Sequence, residues 1–120
     1  MNILSTIPKS RYNSWLECFY DLNESDGSDE GGFWLINVQA LPTKTKVGDF
    51  CYMIYDGYIR GYFSIVDMKW TEDCRSFHRI GKKRNTYSLV MCNWHSLTLP
   101  MEAKGFQGYR YTQLSPLTND

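Results

Sequence analysis

The residues with the clearest potential for chemistry are two cysteines and two histidines, arranged in two closely spaced pairs. The pairs are Cys74 with His78 and Cys92 with His95, and zinc sites favour thiolate and imidazole ligands. Cys92 and His95 fall on a predicted strand, however, and strand positions three apart point to opposite faces. Only a bend at residues 93–95 would bring the two side chains together. We therefore interpret the four as unrelated residues and predict no metal site.

Nucleophilic or acid–base catalysis has less support in the sequence. Neither histidine belongs to a motif such as GxSxG, and Gly105 and Gly108 form only GxxG, which is neither a P-loop nor a dinucleotide fingerprint. Turn chemistry accounts for Asp49 and Asp56, and Asp67 is expected at a solvated strand end. The sequence thus predicts no catalytic residue and no cofactor.

Nucleic-acid binding suits the residue types better, because it needs positive charge beside exposed aromatic rings. Phosphates supply nonspecific attraction, and bases stack on rings at about 1–3 kcal/mol each. Most aromatics of a small barrel belong to its core, but 16% of this chain is aromatic, so some rings must reach the surface. The tryptophan most expected there is Trp70, beside Lys69. The candidate ligand-binding residues are Trp34, Lys44, Lys46, Arg60, Tyr62, Trp70, Trp94 and Arg110.

These residues must be positioned by one helix and a series of strands. Residues 9–22 have apolar side chains at spacings of three and four, which predicts an amphipathic helix with Ser10 as its N-cap. Residues 23–32 are polar and acidic and predict a loop. The run over 33–39 is nearly apolar throughout, which predicts a first strand covered on both faces.

A β-hairpin is the strongest local signal in the chain. Asp56 and Gly57 separate two strand-like runs, and Asp-Gly favours a type I′ turn because both central residues need positive φ. Gly61 inside the second run predicts a bulge or a close backbone approach. A further strand is expected over residues 86–94, and a last one after the glycine-containing turn near residue 108.

One helix and five or six strands predict an α+β fold, mainly β, of the small-barrel or strongly curved sheet type. A length of 120 residues predicts a single domain. Alanine occurs only twice, while tyrosine and phenylalanine are frequent, which favours strands over a helical bundle. Residues 69–84 lack periodicity, carry a basic cluster and predict a loop.

The distribution of charge and the spacing of the cysteines indicate which kind of partner and which cellular compartment to expect. Residues 1–31 hold two basic and six acidic residues and the remainder eleven and seven, so the strand-rich part is mildly basic, which is compatible with an anionic partner. We expect no membrane partner, because no apolar run is long enough to span a bilayer. The four cysteines lack a CxxC spacing and no secretory signal is visible, which predicts reduced thiols in the cytoplasm.

The central hairpin resembles the central strands of PUA-like domains, particularly those of the EVE, ASCH and YTH branches. The resemblance extends over about residues 33–112, with matching strands before and after the hairpin. It implies a pseudo-barrel with peripheral helices and an RNA, DNA or modified-base ligand. The features that carry it are Gly48-Asp49 before a strand, the Asp56-Gly57 tip, the strand from Gly61 to Met68, the strand Trp34–Val38 and the later run YSLVMCNWHSLTLP.

The resemblance also implies where a base would lie. Aromatic rings, Trp34 with Trp70 or Trp94, would surround a pocket, and Lys44 and Lys46 would contact the backbone. The ASCH signature GxKxxExR is incomplete, because PTKTKVGD lacks its Glu and its Arg. The leading hypothesis is therefore a non-enzymatic nucleic-acid or modified-base binding module.

Two alternatives stay open at this point. One is a small ASCH-like hydrolase that acts on nucleosides or RNA. The other is a protein-interaction module of phage or mobile-element origin, which would use the acidic segment 17–30 as its contact surface.

Overall fold

The computed structural model describes residues 1–29, 31–70 and 87–116, with only the backbone of Trp70. In these residues a 3-10 turn, Lys9–Arg11, precedes one α-helix. No helix in the described ranges has the length and apolarity that crossing a bilayer requires. The remaining elements are β1 Asn2–Thr6, α1 Trp15–Glu24, β2 Trp34–Val38, β3 Phe50–Tyr55, β4 Tyr58–Trp70, β5 Tyr87–Glu102 and β6 Tyr109–Thr112.

The six described strands form one curled sheet in the order β2-β5-β4-β3-β1-β6. Neighbouring strands are antiparallel except β1 and β3, which run parallel with Ile3 opposite Cys51. The strands β2 and β6 are the two ends of this sheet. The predicted fold class, α+β and mainly β, is confirmed, and the six described strands form a curled half-barrel.

Alternation along the strands divides the apolar side chains between the two faces of the sheet. In β3, Cys51 and Met53 belong to the main core, whereas Tyr52 and Ile54 belong to a second cluster on the other face. The helix α1 buries Leu22 in the main core. The second cluster is covered by partly buried residues of the segment 103–114.

The helix begins later than the sequence pattern predicts. Its N-cap is Ser14, not Ser10: the Ser14 hydroxyl oxygen accepts a hydrogen bond from the Glu17 N–H at 3.3 Å, and the Glu17 carboxylate accepts one from the Asn13 N–H at 3.1 Å. This capping-box arrangement satisfies two amide groups at once, which gives the start at Ser14 an advantage that residue spacing does not reveal. The predicted range 9–22 therefore splits into the 3-10 turn and α1.

The central hairpin is confirmed. Asp56 and Gly57 have φ values of 50° and 81°, as the type I′ turn requires, and β3 pairs with β4 across it. The pairing shifts register between Ile59 and Gly61, where the sequence predicted a bulge. The expected strand over 86–94 starts at Tyr87 and continues to Glu102, so β5 is twice as long as predicted.

Two further differences concern the ends of elements. The strand β1 was not predicted, and it lies outside the range 33–112 assigned to the barrel, yet it separates β3 from β6 in the sheet. The predicted loop over 69–84 begins inside β4, which extends to Trp70 because it pairs with β5 as far as Tyr87. Residues 71–84 of that predicted loop lie outside the described residues.

Gly61 supplies the first prediction. A β-carbon at this position would collide with the carbonyl oxygen of His95 and the ring of Trp94, both on the neighbouring strand. Because backbone atoms cannot move aside cheaply, we expect Gly61→Ala to lower the free energy of unfolding by about 2–3 kcal/mol in urea denaturation.

The control for this variant is Gly57→Asn. Gly57 has a positive φ, which Asn tolerates best after glycine, and a β-carbon there meets nothing within 4 Å. We expect a loss below about 1 kcal/mol from the control. Equal losses in the two variants would show that the close approach at Gly61 is not the constraint.

Candidate functional site

A cleft with a volume of about 510 Å³ opens where the sheet fails to close. One wall is the whole of β2, which pairs only with β5 and so turns its other edge toward the cleft. The opposite wall is residues 5–8, at the end of β1, together with Arg11 of the 3-10 turn. Met53 of β3 and residues 106–108, in the loop before β6, complete the lining.

Trp34 is the buried aromatic residue of this lining, with 8% of its surface exposed. Its ring stacks on Phe63 at a centroid distance of 5.6 Å and an interplanar angle of 25°. The guanidinium carbon of Arg11 lies 5.7 Å from the centroid of the same ring, within the range of a cation–π contact. The ring thus contacts both an apolar neighbour and a cation.

The indole nitrogen of Trp34 is the unusual group in this site. It is buried and has no hydrogen-bond acceptor among the described residues. Leaving a buried donor unsatisfied costs about 1–3 kcal/mol, and such groups are few in native structures. Trp34 therefore carries an unused donor in the wall of a cleft.

Hydrogen bonds between side chains and backbone build the rest of the cleft. The Ser5 hydroxyl donates to the carbonyl oxygen of Gly108 at 3.1 Å, and the Thr6 hydroxyl oxygen accepts from the N–H of Phe106 at 3.1 Å. Both bonds tie the loop before β6 to β1. On β2, the side-chain oxygen of Asn37 accepts from the Ser88 hydroxyl at 3.0 Å. These contacts fix the position of both walls.

Two of the residues predicted from the sequence are at or beside this cleft. Trp34 lines it, and the guanidinium carbon of Arg110 lies 4.3 Å from the ring centroid of Phe106, another lining residue. Lys44 and Lys46 lie in the exposed loop before β3. Lys44 contacts the ring of Tyr111 at 5.8 Å, while Lys46 donates its backbone N–H to the Asp49 carboxylate.

The other predicted residues are elsewhere in the fold. Arg60 donates from Nε to the carbonyl oxygen of Tyr55 at 3.0 Å, and its guanidinium lies 4.7 Å from the Trp15 ring centroid. Tyr62 is buried on the opposite face of the sheet, in the second cluster. The structure describes only the backbone of Trp70, at the end of β4. The ligand-binding roles of these residues stay predictions.

Trp94 is also placed apart from the cleft lining. Its ring packs edge-on against Phe63 at a centroid distance of 5.0 Å, so both predicted tryptophans share this neighbour. Its indole nitrogen donates to the Ser96 hydroxyl at 2.8 Å. The two tryptophans therefore differ in one respect that matters chemically: Trp94 has an internal acceptor for its N–H.

Sequence analysis missed five polar residues of the cleft: Ser5, Thr6, Arg11, Asn37 and Gln107. Arg11 fell inside the predicted helix, and Ser5 and Thr6 belong to the unpredicted β1. The only available signal was the alternation of Ile3, Ser5 and Ile7, which all turn to the same buried side.

The thiols of the described cysteines are shielded from solvent. Burial raises the pKa of Cys18 to about 12, and burial also raises the pKa of Cys51 and of Cys92 above the ordinary range. Among the residues that the structure describes, no three His, Cys, Asp or Glu side chains are grouped so as to hold a metal ion. Cys74 and His78, half of the set considered for zinc, lie outside the described residues.

Comparison with known proteins identifies similar structures but no similar sequences. No family model matches the sequence, and no curated protein matches it. The crystal structure of ASCH from Zymomonas mobilis aligns with a TM-score of 0.59 at 4% identity, over 93% of this chain and 87% of that one. A point mutant of the Zymomonas mobilis protein aligns with a TM-score of 0.60 at 4% identity, over 93% and 90%.

The chain therefore has the fold of ASCH domains, which are PUA-like, and the resemblance stated from the central hairpin is confirmed at the level of fold. An identity of 4% carries no individual residue from one chain to the other.

The shielded thiols give the second prediction. In a Cys74→Ser variant, we expect Cys18, Cys51 and Cys92 to react with Ellman's reagent at pH 8 at least about a hundredfold more slowly in the folded than in the urea-unfolded protein. The reason is that only the thiolate reacts, and a pKa of about 12 leaves Cys18 almost wholly protonated at pH 8. A fast phase in the folded protein would instead identify a reactive cysteine.

Proposed function

We propose that this chain is a nucleic-acid-binding domain that receives a single base in the cleft between β1 and β2. The observation that carries the proposal is the contact between the Arg11 guanidinium and the Trp34 ring in the lining of an open cleft. An aromatic ring and a guanidinium are the two groups on which unstacked bases are commonly held. A volume of about 510 Å³ lies within the usual range of small-ligand pockets.

Positive charge near the cleft supports a polyanionic ligand. Arg11 and Arg110 are exposed at its wall and beside its rim, and Lys104 is exposed on the segment that passes against Thr6. Among the described lining residues the only formal charge is that of Arg11. Phosphates on either side of an inserted base would meet these cations, which supply affinity that weakens with salt.

The chemistry of the lining favours binding over hydrolysis. Its described polar side chains are hydroxyls, amides, the Trp34 indole and the Arg11 guanidinium. These groups hold a ligand by hydrogen bonds and charge, whereas proton transfer near neutral pH calls for a group such as an imidazole or a carboxylate. We therefore propose a binder and keep the ASCH-like hydrolase as the alternative that a turnover assay would reveal.

The third prediction tests the cleft as the binding site. Arg11→Gln removes a cation that contacts both the cleft and the Trp34 ring. We expect the dissociation constant for a fluorescein-labelled single-stranded RNA 12-mer to rise about five- to tenfold at 50 mM salt, with a shallower salt dependence. Fluorescence anisotropy between 50 and 200 mM salt measures both quantities.

The matched control is Lys9→Gln on the same 3-10 turn. It changes the net charge equally, but the Lys9 amine pairs with Asp56 at 3.2 Å and is not part of the cleft lining. We expect its dissociation constant to stay within about twofold of that of the unaltered protein. The proposed function fails if the unaltered protein shows no salt-sensitive binding to single- or double-stranded oligonucleotides.

A further inference from the structure

We infer that the cleft selects a base by its oxo group, preferring the lactam edge of uracil or hypoxanthine to the amino edge of cytosine or adenine. This inference rests on the proposed function and names the ligand class of the same site. It starts from the unused donor of Trp34, which is the buried indole nitrogen without an acceptor in the described part of the chain.

Comparison of two tryptophans shows that the unused donor is a property of the cleft. Both rings pack on Phe63, and Trp94 satisfies its N–H on Ser96 at 2.8 Å. Trp34, which is the more buried of the two, has no such acceptor. Since an indole nitrogen can only donate, the partner that completes it must be an acceptor. A ligand that enters the cleft supplies the acceptor that the described residues lack.

The neighbouring groups decide which acceptor fits. Arg11, which contacts the Trp34 ring, is also a pure donor. An exocyclic amino group would therefore face donors, whereas an oxo group accepts from them. No described strand pairs with the other edge of β2. Main-chain carbonyls on that edge can accept from the ring N–H that lies beside the oxo group in a lactam. In cytosine and adenine the donor and the acceptor are exchanged: an amino group replaces the oxo group, and a ring nitrogen without a proton replaces the ring N–H.

The ligand reaches the nitrogen by moving one exposed side chain. The indole nitrogen is covered in the unliganded fold, and the wall of the cleft nearest to the ring includes the exposed Arg11. The Arg11 side chain can swing out from the ring without disturbing the core, because the 3-10 turn that carries it buries no residue. Once displaced from the ring, its guanidinium can donate to the same oxo group as the indole N–H.

The fourth prediction compares ligands that differ at one position. Isothermal titration calorimetry with inosine and adenosine 5′-monophosphates, and with uridine and cytidine 5′-monophosphates, changes oxo to amino with little change in shape. We expect the unaltered protein to bind the oxo member of each pair about tenfold more tightly. In Trp34→Phe, which keeps an aromatic ring and removes the donor, the preference should fall to within about twofold.

The control variant is Trp15→Phe, the same substitution on α1 at a ring that does not line the cleft. It should keep the tenfold preference. If Trp34→Phe does not fold, the indole proton of Trp34 in the unaltered protein, assigned through the contact of its ring with Arg11, gives a second measurement by nuclear magnetic resonance. It should move downfield with inosine monophosphate and not with adenosine monophosphate.

The outcomes separate this inference from the proposed function. Equal affinities within each pair, a preference that survives in Trp34→Phe, or failure of all four mononucleotides to bind would each overturn the choice of oxo bases. Equal affinities that are weakened together by Arg11→Gln would leave the cleft as a base site without this selectivity. The proposed function itself falls only if the oligonucleotides also fail to bind.

Discussion

The parallel pairing of β1 with β3 is the constraint on which the rest of the structure depends. It places Ile3 beside Cys51 and brings Ile7 into the core, and it gives β6 its single neighbour in the sheet. A parallel pair needs a long crossover, and here that crossover contains the 3-10 turn, α1 and β2. The strand β2 is thereby carried to the far end of the sheet, where it pairs with β5. The cleft is the consequence, because the sheet curls until β2 faces the chain that leaves β1.

The same arrangement gives the ring of Trp34 contacts with two separate parts of the fold. Its ring is oriented by Phe63, which belongs to the long hairpin at the centre of the sheet, so stacking on it is independent of the cleft. Its ring also contacts Arg11, which belongs to the crossover. An aromatic ring packed on the central hairpin and an exposed cation are thus supplied by different parts of the fold. Rigid positioning of one partner lowers the entropy lost when a flat ligand binds.

The hairpin, which depends on residues adjacent in sequence, was predicted correctly. The strand β1, which depends on pairing with a distant segment, was not predicted. The hairpin at Asp56-Gly57 was predicted because the turn residues and both strands are adjacent in sequence. The helix start was misplaced because the capping box at Ser14 outweighs residue spacing. The strand β1 has only five residues, and its stability comes from pairing with β3, more than forty residues away. In the candidate site, residue type pointed to Trp34, but Arg11 joins it only through this crossover.

The indole nitrogen of Trp34 contributes nothing to the packing of its ring. A phenylalanine at this position would still stack on Phe63 and still contact the cation of Arg11, because both contacts use the ring. The N–H adds a desolvation cost to the folded chain and returns nothing within the described contacts. Under the proposed function, a bound acceptor would remove that cost, and the penalty carried by the free protein would become a gain on binding. Stability and recognition would then oppose each other at this one nitrogen, as they do at groups placed for function.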